Sequence, residues 1–185
     1  VNLNKSNWLL MLFALLLIAP TTLAKVRLPK LVSDKMVLQR DVELNIWGWA
    51  SAGEKVTVRF NGAYYETEAN SNGEWSVLLP PQKAGGPYLL EVNELKVRDV
   101  LVGDVWLCSG QSNQETPIVR LVDKFPEINV SNNHMIRHYK VPTQEITDGV
   151  QQEIAGNAVW HSGVASEVLN WTALAYFYAQ EAYAK

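Results

Sequence analysis

The most reactive arrangement in the sequence is a serine in a short polar turn. Residues 105–108 (VWLC) are a continuous apolar run, and residues 109–113 (SGQSN) follow it directly. Such a run is typical of a strand covered on both faces, and a turn at its carboxyl end presents unpaired backbone N–H groups to a crevice. Ser112 is therefore a candidate nucleophile with oxyanion donors beside it. A serine in a polar turn is also a common helix N-cap, so its position alone leaves both roles open.

A serine nucleophile needs a base within hydrogen-bond reach, because a neutral hydroxyl attacks poorly. The sequence offers three imidazoles, His134, His138 and His161. None of them follows an Asp at a three-residue spacing, and a surface or loop position is the simpler interpretation of each. The sequence thus provides a nucleophile without an evident base.

Three tryptophans are candidates for a second kind of site, one that binds a sugar by stacking. Trp47, Trp49 and Trp75 lie in or beside alternating apolar runs. Their faces could stack on sugar rings, as in a non-catalytic carbohydrate-binding module. Aromatic side chains are also the usual filling of a small β-sandwich, and we favour the core position for all three.

Composition excludes several classes of protein. The formal net charge is −3 and the pI is near 5.6, so no cationic excess is available for nucleic acid or an anionic membrane surface. The single Cys108 cannot form an intramolecular disulfide. The sequence shows no metal-ligand cluster, no phosphate-binding glycine loop and no cofactor signature, and we expect no cofactor or metal.

The elements that must position the serine fall into two units. Residues 25–102 contain short runs of two-residue period separated by turn residues such as Asn61-Gly62. The apolar members of these runs are Val42, Leu44 and Ile46; Val56, Val58 and Phe60; Trp75, Val77 and Leu79; and Leu90 and Val92. This pattern predicts a jelly-roll-like β-sandwich domain over residues 25–102.

Residues 103–185 are predicted to be the start of an α/β domain. Residues 105–108 are its first buried strand, which also buries Cys108, a short helix follows Pro117, and residues 135–141 are a second strand ended by Pro142. A C-terminal helix is expected to carry a Glu181–Lys185 pair. Its predicted core face comprises Trp171, Leu174, Ala175, Tyr178 and Ala182.

The first residues resemble an export signal. Lys5 precedes an uncharged apolar run over residues 8–19, and Thr22 and Ala24 are small residues at the spacing of a signal-peptidase site. The run is shorter than the roughly 20 residues that a membrane span needs. Residues 1–24 are therefore predicted to be a signal peptide, which makes the mature protein secreted or periplasmic, without a membrane span.

The nucleophile turn resembles the first sequence block of the sialate O-acetylesterase family, carbohydrate esterases of the SGNH-hydrolase superfamily. Upstream segments are similar to that family in wording and order: residues 33–40 (SDKMVLQR), 46–50 (IWGWA), 72–75 (NGEW), 84–88 (AGGPY) and 99–106 (DVLVGDVW). The similarity extends from about Val26 to the end of the chain.

This resemblance implies two roles for Ser112. Ser112 becomes the nucleophile that attacks an acetyl ester, and its own backbone N–H becomes one donor of the oxyanion hole. The implied substrate is an O-acetylated sugar, foremost a 9-O-acetylated sialate, with acetylated plant polysaccharide as the alternative. The family usually has Met where this chain has Gln114, and we expect that difference to affect packing behind the turn more than acyl chemistry.

The resemblance also implies that the remaining catalytic residues are not among these 185. In the family the catalytic His, its preceding Asp, and the Gly and Asn of the oxyanion hole come later than the position of Lys185. The α/β domain is then expected to be incomplete, to expose apolar surface or recruit another chain, and to be a poor esterase by itself. A carbohydrate-binding module and an inactive truncated gene product remain as alternatives.

If residues 1–24 are a cleaved signal peptide, the exported protein begins at Lys25. N-terminal sequencing of periplasmic or secreted material is the measurement. A chain that still begins upstream of Lys25 would contradict the proposed cleavage site.

Overall fold

The computed structural model describes residues 25–145 and 149–185. The predicted signal peptide, residues 1–24, lies outside the described residues. The first seven strands are Val37–Gln39 (β1), Leu44–Trp49 (β2), Lys55–Phe60 (β3), Ala63–Glu68 (β4), Glu74–Leu79 (β5), Gly85–Val92 (β6) and Leu95–Gly103 (β7).

These strands form two sheets. A five-stranded mixed sheet has the order β1-β7-β6-β3-β4, in which β1 runs parallel to β7 and the other pairs are antiparallel. The second sheet is the antiparallel pair β2-β5. Both sheets bury side chains in one hydrophobic core, whose fully buried members include Ile46, Val58, Leu79, Leu90 and Val100. The chain is therefore rich in sheet and has few helices.

The two-residue period predicted the inward face of four strands. β2, β3, β5 and β6 coincide with the four predicted runs, and only Val42, at 45% exposure, lies outside its strand. The Asn61-Gly62 turn has positive φ at both residues, as a tight hairpin between β3 and β4 requires.

β4 was not among the predicted runs. It pairs only with β3 at one edge of the sheet, and its sequence, AYYETE, places no fully buried side chain in the core. A strand with one neighbour and no buried face gives no apolar alternation, which explains why the sequence did not reveal it.

The rest of the chain forms a smaller second unit. Its elements are 3₁₀ helices at Ile118–Arg120 and Pro126–Val130, strands Asn132–Tyr139 (β8) and Trp160–Val164 (β9), and helices Ala165–Val168 (α1) and Ala173–Tyr183 (α2). β8 and β9 pair antiparallel. Ile118, Ile128, Ile136, Val168, Trp171, Ala173 and Tyr176 form a separate core in this unit.

The prediction of a buried strand over residues 105–108 is wrong. β7 ends at Gly103, the next residues have no regular structure, and Trp106 and Leu107 are 62% and 92% exposed. Cys108, predicted to be buried, is exposed as well. A strand is buried on both faces only where neighbours pair with it and cover it, and no strand among the described residues pairs with this segment.

Three further predictions of the second unit have mixed outcomes. The short helix after Pro117 is one 3₁₀ turn, and the second strand exists but begins at Asn132. The Glu181–Lys185 pair is confirmed, with Oε1 and Nζ 3.0 Å apart.

The predicted core face of the C-terminal helix is wrong. α2 buries Ala173 and Tyr176, whereas Leu174 and Tyr178 are 61% and 44% exposed. Trp171 is buried but precedes the helix, with Thr172 as the N-cap between. Counting Trp171 as a helical residue therefore rotated the predicted face away from the true one.

Ion pairs join the two units, and in the main one the Arg137 side chain is buried while the Asp99 side chain is 40% exposed. The Arg137 side chain, on β8, is only 2% exposed, and its two terminal nitrogens bind the two carboxylate oxygens of Asp99, on β7, at 2.9 and 2.8 Å. Arg137 also donates to Ser162 Oγ at 2.7 Å. Lys35 extends this contact by pairing with Glu167 Oε1 at 2.9 Å.

Residues near the start of the described chain bind the second unit through polar groups. Lys30 Nζ donates to the carbonyl oxygens of Ile154 and Gly156 at 2.8 and 2.7 Å. Trp160 Nε1 donates to the carbonyl of Leu31 at 2.8 Å. These contacts and the Arg137 and Lys35 pairs are called the polar seam below.

The expected exposure of apolar surface after residue 103 is confirmed. Among the described residues of that stretch, 104–145 and 149–185, thirteen large apolar side chains are exposed: Val105, Trp106, Leu107, Val119, Phe125, Val130, Met135, Val141, Val150, Val159, Leu174, Tyr178 and Tyr183. Trp106 and Tyr178 contact each other edge to face, with ring centroids 5.1 Å apart.

Asp99→Asn should destabilise the protein by about 1 to 3 kcal/mol, because the buried Arg137 guanidinium would keep its charge and lose its counter-ion. Asp99 has a φ of 57°, which Asn tolerates, so the change adds no backbone strain. The measurement is the free energy of unfolding in urea.

Asp104→Asn is the matched control. Asp104 Oδ1 is also 2.8 Å from an arginine nitrogen, that of Arg40, but both side chains are about half exposed, at 52% and 45%. A solvated pair contributes little to stability. An Asp99→Asn effect no larger than that of the control would contradict the proposed weight of the buried pair.

Candidate active site

Ser112 lies in an exposed turn with a free backbone donor. The turn is closed by hydrogen bonds from the Gln114, Glu115 and Thr116 N–H groups to carbonyls three residues earlier, at 2.8, 3.2 and 3.3 Å. Within residues 25–145 and 149–185, the Ser112 N–H donates to no partner. An exposed hydroxyl beside an unpaired N–H is the local arrangement that an acyl-transfer nucleophile requires.

The turn is anchored from behind to the start of α2. The Thr116 carbonyl accepts from the Ala173 N–H at 2.8 Å, and the Ile118 N–H donates to the Trp171 carbonyl at 3.0 Å. Thr172 caps the helix by accepting from the Ala175 N–H at 3.3 Å. The helix end and the turn are thereby held as one piece.

Gln114 adds a side-chain contact to this anchor. Its Nε2 donates to Thr172 Oγ1 at 3.4 Å, and a Cβ built on Gly110 would lie 3.0 Å from the Gln114 Cβ. Gln114 therefore packs behind the turn, the location expected for its effect. The signal that the sequence offered for this contact, a Thr directly before an apolar helical run, is an ordinary N-cap signal.

The structure does not bring the three histidines to Ser112. In the described part of the chain, none of their nitrogens is hydrogen-bonded to the Ser112 hydroxyl. His134 is exposed, while His138 and His161 face each other across the β8-β9 pair. All three histidines lie in strands, so a loop position is wrong for each, but His134 has the surface position that the sequence also allowed, while His138 and His161 are half-buried.

His138 is held neutral by its surroundings. Its ring stacks on Trp171 with centroids 4.9 Å apart, and its buried Nδ1 has no partner among the described residues. Burial, followed by the nearby charges of His161 and Lys140, lowers the pKa of His138 to about 4.

His161 belongs to the polar seam. Its Nδ1 lies 3.4 Å from Glu167 Oε2, which also accepts the Ser162 N–H at 2.7 Å. Burial raises the pKa of Glu167, but hydrogen bonds from Lys35 and the Ser162 N–H outweigh it, so that the pKa lies below its ordinary value. Glu167 is thus an ionised structural group.

Comparison with curated proteins finds sialate O-acetylesterases. The human enzyme is 30% identical over 150 residues, that of Pongo abelii is 30% identical over 151, and that of Rattus norvegicus is 32% identical over 117. The human and orangutan matches cover 72% of this chain and 29% of those proteins. A solved structure described as a novel carbohydrate acetylesterase from Xanthomonas citri is 39% identical, with a TM-score of 0.82, over 86% of this chain and 37% of that one.

The chain is sialate O-acetylesterase-like and corresponds to the N-terminal portion of such carbohydrate esterases. It spans less than a third of the length of the human and Pongo abelii relatives. No family model matches the chain.

The three tryptophans of the sialate O-acetylesterase-like chain do not form one exposed platform. Trp75 is 4% exposed, which confirms its core position. Trp47 and Trp49 are half-buried and point away from the core, edge to face, with centroids 5.1 Å apart. The Arg27 guanidinium covers the Trp49 ring at 3.6 Å, so this face is already occupied by a cation.

The described residues of this esterase-like chain contain no group of three or more His, Cys, Asp and Glu side chains placed to hold a metal ion. Among the same residues, no helix is long and apolar enough to cross a membrane.

His138 should make stability depend on pH. The imidazole binds a proton near pH 6.5 when unfolded but only near pH 4 when folded. The unfolded state therefore binds more protons between these values, and stability that is complete above pH 6.5 is lost as the pH falls towards 4.

His138→Phe, which retains a ring against Trp171, should flatten this dependence. Urea denaturation midpoints between pH 7 and pH 4 are the measurement, with His134→Gln as the control for loss of an exposed imidazole from β8. If stability depends on pH as steeply in His138→Phe as in the parent protein, other titratable groups cause the dependence.

Proposed function

We propose that this chain is the N-terminal part of an exported carbohydrate O-acetylesterase with Ser112 as nucleophile. The observation that carries the proposal is the match to the carbohydrate acetylesterase of Xanthomonas citri, at 39% identity over 86% of the chain. The exposed Ser112 turn, with its free N–H, supports the assignment of the nucleophile.

The proposed reaction has two steps. Ser112 Oγ attacks the acetyl carbonyl carbon and gives its proton to a base, while the Ser112 N–H stabilises the negative charge on the carbonyl oxygen. The C–O bond to the sugar then breaks, and the sugar oxygen takes the proton. Water next attacks the acetyl-serine, which releases acetate and restores the hydroxyl.

The base and the other oxyanion donors are proposed to come from a further segment of a longer protein. No histidine in the described ranges is bonded to Ser112. Without a positioned base, the general-base contribution of roughly 10²- to 10⁴-fold is lost. The 185-residue chain alone is therefore expected to be a poor esterase.

The finer proposals concern substrate, domains and compartment. The names of the curated relatives support a sialate ester, proposed to be the 9-O-acetyl ester. Residues 25–102 are proposed to be a jelly-roll-like sandwich, residues 103–185 the first part of an SGNH-type α/β domain, and the mature protein to be secreted or periplasmic. Acetylated xylan, assayed beside 9-O-acetylated sialic acid, tests the choice of substrate.

In the longer protein containing this chain, Ser112→Ala should reduce acetyl-ester hydrolysis by a factor of at least about 10³, because the nucleophile is lost. The change should leave the unfolding free energy nearly unaffected, since an exposed turn hydroxyl contributes little to a core. Turnover of p-nitrophenyl acetate and of 9-O-acetylated sialic acid is the measurement.

Ser109→Ala is the matched control, because it removes a second exposed hydroxyl three residues away in the same segment. It should retain near-normal turnover. Near-normal turnover in Ser112→Ala would place the nucleophile elsewhere.

A further inference from the structure

A groove of about 350 Å³ lies between α2, the second 3₁₀ helix and the start of β8. Its floor is apolar and aromatic: Ile128 and Tyr176 are buried, and Phe177 is half-buried. The volume is within the range of small-molecule sites.

The floor of the groove is held rigidly. The Tyr176 hydroxyl and Ser131 Oγ are 3.1 Å apart, and Ser131 Oγ donates to the Gly163 carbonyl at 2.8 Å. Phe177 is fixed by ring contacts with Tyr176 and with Phe125, whose centroids are 5.4 and 4.8 Å away. An aromatic surface held in this way needs no ordering when a ligand binds.

The rim of the groove supplies hydrogen-bond donors and hydrogen-bond acceptors. The side chains of Glu127, Asn132 and Gln180 have no hydrogen-bond partner within the described residues. Asn133 accepts the Met135 N–H through Oδ1, which leaves its amide N–H groups available. The groove therefore offers donors and acceptors around the partly exposed ring of Phe177, a combination that a sugar ring with several hydroxyls can satisfy.

The charge of the residues that line the groove favours one class of sugar over another. The residues lining the groove include one carboxylate, Glu127, and no Lys, Arg or His. A carboxylated sugar would bring its negative charge towards Glu127 without a cation to compensate it. A neutral sugar has no such penalty.

We propose that this groove is a binding subsite for a neutral, unacetylated sugar unit of a glycan. The proposal rests on the carbohydrate substrate proposed above, but it names a different part of that glycan. α2 begins at the Ser112 anchor, and its lining residues Tyr176 and Gln180 lie four and eight residues beyond Thr172, so the groove extends from about 6 Å to about 12 Å along the helix axis. It binds a sugar unit distinct from the one whose ester reacts.

The test is a titration of the longest natural chain that contains this segment with unacetylated sugars. Xylotriose, methyl β-galactoside and N-acetylneuraminic acid are the probes, followed by saturation-transfer NMR and calorimetry. A neutral sugar should bind, and Asn132→Ala and Gln180→Ala should each weaken its binding about threefold to tenfold, the effect of one lost hydrogen bond.

Two further variants sharpen the result. Asn72→Ala changes an exposed Asn far from the groove, in the β4–β5 turn, and should leave binding unchanged. N-Acetylneuraminic acid, the product of the proposed sialate esterase, should bind at the Ser112 site, so Asn132→Ala and Gln180→Ala should leave its binding unchanged, whereas Glu127→Gln should add binding in the groove. Circular dichroism of each variant verifies that the fold is retained.

The proposal is overturned if no neutral sugar binds, if Asn132→Ala and Gln180→Ala bind the neutral sugars as the parent does, or if these two variants weaken the binding of N-acetylneuraminic acid as much as that of the neutral sugars. These probes have no acetyl ester. A failure of the groove therefore leaves the Ser112 experiment unaffected, and a failure of that experiment leaves this titration interpretable.

Discussion

The buried guanidinium of Arg137 is the constraint on which the arrangement of this protein depends. Arginine stays charged at any pH that a protein experiences, so at 2% exposure it needs an ionised partner and further hydrogen-bond acceptors. Asp99, on β7, and Ser162, on β9, bind its two terminal nitrogens, whereas its buried Nε has no partner among the described residues. Because Arg137 on β8 and its partners on β7 and β9 join three strands from the two units, this group of contacts fixes how the β8-β9 pair sits against the five-stranded sheet.

A series of packed groups connects the β8-β9 pair to the Ser112 turn. β8 carries His138 next to Arg137, and the His138 ring stacks on Trp171. The Trp171 carbonyl holds the backbone of Ile118, and the adjacent Thr172 receives Gln114. The Ser112 turn is therefore supported from behind while its front is open.

Local periodicity made part of this structure predictable. The alternation through Ile46, Val58 and Leu79 identified core-facing strands, because one buried face leaves a two-residue pattern in the sequence. The Ser112 turn was located by the change from apolar to small polar residues. The tertiary surroundings of that turn had no such pattern.

The predictions that failed depended on partners distant in the chain. The segment containing Leu107 has the composition of a buried strand but no strand beside it in the described structure, and Trp171 reads as helical although the helix begins after it. The Lys30, Lys35 and Arg137 contacts join residues 25 to 132 positions apart. The periodicity of the sequence gives no information about such pairs, because the residues around one partner do not identify the other.

The exposed edge at β4 has a consequence for self-association. Glu66 and Glu68 lie along this edge strand and pair on their inner side with β3. A second copy that added its own β4 in antiparallel register would bring these carboxylates close together, where their repulsion opposes docking. The sheet can thus end in an unpaired strand without becoming a template for fibrous growth, even when many copies are concentrated in one compartment.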